Sequence, residues 1–220
     1  MVDWKNQTIE LLERAINCLE YANIPFGRWS LGGGTALMFH YWHRESKGID
    51  IFLSNAQHLT ALSPRLNNYT KEMCTDYRET SNSVRLVLGE KEINFIVAPN
   101  LSGWKPVEVE IESINLLLEQ PEEILAKKFY YYTARLKIKD LYDAFIVLNS
   151  KRAESAKAVL RKFLNRKEEV FLDRVKFLSQ VLEKEGFNSF LRKLRIPKKI
   201  AANLPKDFPF IVVSELGLKL

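Results

Sequence analysis

Apolar residues along the first half of the chain change period repeatedly, and each change marks an element. Ile9, Leu12, Ile16 and Leu19 recur at helical spacing with acids on the opposite face, so Thr8 to Ala22 is predicted as an amphipathic helix capped near Thr8. Asn23–Pro25 breaks the pattern. A short strand through Trp29 and Leu31 follows, then a run of three glycines, a helix from about Thr35 to Tyr41, and a strand from about Gly48 to Leu53. Ala56 to Leu66 reads as a further helix. Ser83–Leu88 and Glu92–Val97 alternate as strands, and Gly89 with Glu90 joins them as a hairpin. Val107–Ile111 adds another strand.

From Pro121 the period becomes helical throughout. Helices are predicted over Pro121–Arg135, Ile138–Asn149, Ala153–Leu164 and Lys167–Glu185, with shorter pieces around Phe190 and Ile200. Pro121 suits a first helical turn, where its missing N–H has no partner to lose. The fold class is therefore α+β: a mixed sheet flanked by helices over residues 1–120, then a helical lobe over 121–220. No internal repeat or low-complexity linker divides them, so they read as two lobes of one compact body.

With 220 residues, 46% of them hydrophobic, the chain is long enough for a substantial core. No apolar run approaches the roughly 20 residues that span a bilayer, and the N-terminal residues lack the layout of a signal peptide. The expectation is a cytoplasmic protein with no membrane partner. Cys18 and Cys74 have neither a disulfide framework nor zinc spacing around them. The net charge of +6 is unevenly spread: residues 151–220 hold seventeen Lys and Arg against eight Asp and Glu, a balance of +9, and the first 150 residues balance at −3. That asymmetry suits a polyanion such as RNA, although lysine-rich helices are commonly just solvated faces.

Gly32–Gly34 can adopt positive φ and bring backbone N–H groups close to an anion, and Thr35 sits where it could cap the next helix and touch phosphate. Asp50, between Ile49 and Ile51, is a candidate Mg²⁺ ligand. A second carboxylate on the same strand face belongs two residues earlier, where the chain has Gly48. His40 and His43 lie three apart but lack a third metal ligand at fitting spacing. Phe129–Tyr132 covers every face of its helix, which assigns part of it to the core and leaves part able to stack on a base. Cys/His and Ser/His/Asp arrangements, the Walker lysine spacing and the dinucleotide fingerprint are all missing.

The order of glycine turn, helix and aspartate strand resembles that of polymerase-beta-like nucleotidyltransferases. More specifically, the chain is similar to the AbiEii-type toxin nucleotidyltransferases of bacterial toxin–antitoxin pairs. The resemblance rests on Gly33-Gly34-Thr35-Ala36-Leu37, on Arg44 to Phe52 against a family pattern Arg-x-Ser/Thr-x-Asp-hydrophobic-Asp, on Ile124 to Phe129, and on Arg135 with Lys139 to Asp143. It implies transfer of NMP from an NTP to an acceptor, plausibly tRNA, with a cognate antitoxin as partner. Gly33, Gly34 and Thr35 would cradle phosphate, Lys128 would neutralise it, and Arg44 would support the strand or the triphosphate. Asp50 would hold Mg²⁺, and Asp140, on one helical face with Asp143, is a further catalytic candidate that could equally cap its helix. The usual third carboxylate falls at Asn94, with Glu92 a substitute ligand two residues away on the same strand face. The alternative is a catalytically inactive module that binds a nucleotide, RNA or an antitoxin.

Overall fold

The computed structural model describes residues 4–219, which form two compact units. One comprises the chain up to Phe39 together with Glu45–Asn100 and Lys105–Gln120; the other comprises His40–Arg44, Leu101–Trp104 and the chain from Pro121 onward. Two short segments thus lie with the helical unit although they precede residue 120. Glu123 holds the second of them, accepting from the Leu101 and Ser102 N–H groups and the Ser102 hydroxyl.

The first unit begins with α1 (Trp4–Tyr21), which buries Leu11, Leu12, Ala15, Cys18 and Leu19 and packs on β2. Its described residues begin one turn before the expected cap, with Trp4 buried, and Thr8 lies inside, its hydroxyl donating to the Trp4 carbonyl at 2.8 Å. Next come β1 (Trp29–Gly32), α2 (Gly33–Tyr41) and β2 (Gly48–Leu53). The helix expected over Ala56–Leu66 is shorter, α3 (Gln57–Leu62), and a second one that was not expected, α4 (Asn68–Met73), follows it. Ser63, which precedes Pro64, is extended with ψ of 129°, as the proline ring requires, and Asn67 recaps the chain by accepting from the Thr70 N–H. Then follow β3 (Asp76–Thr80), β4 (Ser83–Leu88), β5 (Lys91–Val97), β6 (Val107–Ile111) and β7 (Ile114–Leu118).

These strands make one seven-stranded mixed sheet in the order β3-β4-β5-β2-β1-β7-β6. β1 runs antiparallel to β2 and parallel to β7, and β2 runs parallel to β5. The expected β4–β5 hairpin is present, turning at Gly89 with φ of 64°. Alternation along β2 buries Ile49, Ile51 and Leu53 and leaves Gly48, Asp50 and Phe52 half-buried on the opposite face. The parallel register with β5 sets Gly48 beside Glu92 and Asp50 beside Asn94.

The second unit holds α5 (Pro121–Tyr132), a 3₁₀ turn at Thr133–Arg135, α6 (Ile138–Leu148), α7 (Ala153–Leu164), α8 (Glu168–Glu185), α9 (Phe187–Lys193), α10 (Lys198–Ala201) and α11 (Phe208–Glu215). Its core gathers Phe129, Tyr142, Phe171, Phe190 and Phe208, with the Phe190 and Phe208 rings stacked at 5.6 Å. α5 stops short of the expected Arg135, where the Thr133 hydroxyl turns back to the Phe129 carbonyl. Among the described residues no helix is long and apolar enough to cross a membrane.

Candidate functional site

In the sheet unit the β1–β2 register brings Gly32 opposite Asp50. Gly33 opens α2 with φ of 63°, in the left-handed region, and the Asp50 carboxylate lies directly against it: a Cβ on Gly33 would sit 2.0 Å from Asp50 Oδ2. Gly32 is crowded in the same way, its Cβ position lying 2.4 Å from Glu119 Oε2 and 2.5 Å from the Phe52 ring. Both glycines are therefore required for the close approach of a carboxylate to the backbone. Asn94 donates its amide N–H to Asp50 Oδ1 at 2.8 Å.

Two other residues expected at this site, one for phosphate and one for metal, make bonds within the sheet unit. Thr35 is fully buried, and its hydroxyl donates to the Gly48 carbonyl, tying the start of α2 to β2. The Glu92 carboxylate, expected beside Asp50, accepts from Arg85 on the neighbouring strand. Among the described residues no three His, Cys, Asp or Glu side chains converge as metal ligands. A two-ion centre with three carboxylates does not fit these residues, since Gly48 has no side chain and the Asn94 amide carries no charge. Gly48 itself has room, because a Cβ there would meet nothing closer than the Glu92 carbonyl oxygen at 3.5 Å.

Sequence reasoning missed Glu119. It is buried just past β7, its backbone N–H donates to the Leu31 carbonyl at 2.8 Å, and the Ser30 hydroxyl reaches its Oε1 at 3.4 Å. Periodicity offered no signal for it, because the parallel β1–β7 pairing that places it joins residues far apart in sequence.

In the helical unit the expected residues form one buried ionic cluster around Asp143. Arg44 grips Asp143 with two bonds, Nε to Oδ1 at 2.6 Å and Nη2 to Oδ2 at 2.7 Å. Lys128 Nζ donates to Asp143 at 2.6 Å and to Asp140 at 2.8 Å. His43 Nε2 lies 2.8 Å from Asp143 Oδ1. Asp140 also accepts from the Lys137 N–H at 2.9 Å, capping α6 from its third residue. Burial alone would raise the Asp143 carboxyl, but the Arg44 and Lys128 charges overcome it and hold it well below the ordinary carboxylate range. Burial and the loss of hydration lower Lys128, yet Asp140 and Asp143 raise it further than burial lowers it. Arg44, 2% exposed, is therefore a structural partner of Asp143. His43, which the spacing left without a metal-ligand set, is 1% exposed, and its Nδ1 has no hydrogen-bond partner among the described residues.

This cluster makes stability pH-dependent. Burial holds His43 below its ordinary value, so the folded imidazole stays neutral while the unfolded one takes a proton as pH falls through about 6.5. Below that point the unfolded state binds more protons, and stability falls with pH by up to about 1.4 kcal/mol per unit. Asp143, whose folded value is depressed, contributes fully above the unfolded value of about 3.9 and loses that contribution as pH falls toward the folded one. Thermal unfolding followed by circular dichroism is expected to show two acid stages. His43→Gln, which keeps a donor to Asp143 and cannot titrate, is expected to diminish the first alone; an undiminished first stage would assign it elsewhere.

The family model for "Nucleotidyl transferase AbiEii toxin, Type IV TA system" matches residues 19–202. The chain belongs to this AbiEii family. Among solved structures, the AbiEii-family chain is similar to the antibiotic-resistance factor ANT(2'')-Ia in solution, at 15% identity and a TM-score of 0.56 over 75% of this chain and 95% of that one. ANT(2'')-Ia in complex with adenylyl-2''-tobramycin gives 16% identity and 0.55 over 73% and 98%. The nucleotidyltransferase toxin MenT4 from Mycobacterium tuberculosis gives 13% and 0.45 over 80% and 65%. The first two share its fold, and with the family match that fold is a nucleotidyltransferase's. None of the curated proteins matches the sequence.

Proposed function

We propose that this AbiEii-family protein binds an NTP at the Gly33–Gly34 turn and transfers its NMP to an RNA acceptor, tRNA being the class that suits the basic helical residues. The observation that carries this is the Asp50 carboxylate lying against a left-handed glycine at the first turn of α2. Backbone N–H groups at such a turn attract phosphate, and a carboxylate beside them suits the Mg²⁺ that accompanies a triphosphate. Asp50 would be the one charged protein ligand of that ion, whose role would be to neutralise phosphate charge. The setting is the cytoplasm, with a cognate antitoxin as partner. ANT(2'')-Ia, which shares the fold, is solved in complex with adenylyl-2''-tobramycin, and that supports the reading.

With one carboxylate where the family pattern places more, turnover is expected to be slow. Incubation with Mg²⁺, labelled NTPs and total RNA should give weak incorporation that Asp50→Ala abolishes. Gly48→Asp with Asn94→Asp should raise it by on the order of tenfold or more, since Gly48 has room for a side chain. Incorporation indifferent to Asp50 would refute the assignment. Gly48 and Asn94 also favour a second reading, an inactive binding module; calorimetric NTP binding insensitive to Mg²⁺, with no turnover in any variant, would select it.

A further inference from the structure

The end of α5 exposes three consecutive aromatic rings. Phe129 is fully buried, but Tyr130, Tyr131 and Tyr132 are 44%, 41% and 52% exposed. Successive helical residues point about 100° apart, so three exposed rings in a row mean that this end of the helix projects from the core of its unit. The rings brace one another, with Tyr130 edge-on to Tyr131 at 4.9 Å and to Phe163 of α7 at 5.7 Å. Cations accompany them. Lys167 Nζ sits 4.7 Å from the Tyr130 ring centre and donates to the Tyr130 carbonyl at 2.6 Å. Lys162 Nζ lies 5.5 Å from the Phe163 ring centre, and the Arg135 guanidinium lies 5.8 Å from that of Tyr132.

We propose that Tyr130, Tyr131, Tyr132 and Phe163, with Lys162, Lys167 and Arg135, form a stacking platform for unpaired RNA. Single-strand binders combine aromatic faces that take successive bases with cations that follow the backbone phosphates, and this surface interleaves the two. Charge complementarity favours a polyanion, because the chain beyond residue 150 balances at +9. Phenol rings suit such a surface, since they offer wide apolar faces on stiff side chains and their hydroxyls keep them soluble when unoccupied. A duplex, whose bases are already stacked, offers the rings nothing beyond its phosphates, so the expected ligand is a single-stranded segment or an unpaired end. This inference rests on RNA being the acceptor in the function proposed above.

The test is fluorescence anisotropy of a labelled, unstructured RNA of about 12 nucleotides with the full chain and no NTP present, against a matched duplex. Tyr131→Ala is expected to weaken single-strand binding about tenfold, and the triple replacement of Tyr130, Tyr131 and Tyr132 by Ala more. Tyr131→Phe should bind normally, and Lys162→Gln with Lys167→Gln should flatten the salt dependence. Circular dichroism confirms folding, which truncating exposed rings is expected to leave intact. Unchanged affinity in the folded tyrosine variants, or equal effects on duplex and single strand, overturns the platform. A chain that transfers NMP but binds RNA through other residues sinks this inference alone; one that binds RNA here but transfers nothing sinks only the transfer reading.

Discussion

Asp143→Asn is expected to lower the stability of the protein by about 3–5 kcal/mol, the range for breaking a buried ion pair from one side. The replacement has nearly the same volume, so the loss isolates charge from packing. In the native protein Asp143 is fully buried and takes donors from His43, from Arg44 twice and from Lys128. Two cations and the carboxylates of Asp140 and Asp143 then balance around a neutral imidazole. Asparagine removes one negative charge and leaves Arg44 buried with an amide as its remaining partner from that position, while Lys128 keeps Asp140. Arg44→Met in the Asp143→Asn background is expected to restore part of the loss, because it withdraws a buried cation whose bidentate carboxylate the first change has neutralised. Urea denaturation of the two single variants and the double variant measures this. A single-variant loss under about 1 kcal/mol would place the pair in the weakly coupled class of solvent-exposed bridges.

The same cluster shows what the sequence conveyed and what it withheld. Asp140 and Asp143 were legible as neighbours because residues three apart share a helical face, whereas Lys128 was singled out from Lys127 by the family resemblance alone. That Arg44 and His43 join them was invisible to periodicity, since the contact spans about a hundred residues of chain. Strands with clean alternation, such as β2 and the β4–β5 hairpin, were found near their observed limits. β3 was missed because four of its five residues are exposed, leaving no apolar alternation to detect, and β7 because its apolar run reads equally as helix. Losing β7 concealed Glu119. α11 escaped too, its Phe208-Pro209-Phe210 start resembling a break although proline is well tolerated in a first turn. At the turn, glycine and Asp50 were found together, but the reason for the glycines differs in emphasis: they admit carboxylates against the backbone, whatever anion the N–H groups attract.

Gly33→Ala measures that reason, and its expected effect is a stability loss of about 2–5 kcal/mol together with loss of NTP affinity. Two separable contributions produce it. An L-residue at φ of 63° costs about 1–2 kcal/mol relative to glycine. The new methyl then meets Asp50 at 2.0 Å from Oδ2, 2.8 Å from Cγ and 2.9 Å from Cβ, so swinging the carboxylate away cannot relieve it, and overpacking of this kind costs about 1–3 kcal/mol. Asp50 cannot retreat with its strand, because β2 is paired on both sides, to β1 and β5. Gly27 supplies the control: its φ of 86° is also left-handed, but a Cβ there meets nothing within 4 Å. Gly27→Ala should therefore show the conformational part alone, and Gly33→Ala should fall to that level in an Asp50→Gly background, where the colliding side chain is gone. Equal losses at Gly27 and Gly33 in the otherwise native chain would mean that Asp50 does not press on the turn, and the shared position of acid and glycine, on which the proposed nucleotide binding rests, would be lost with it.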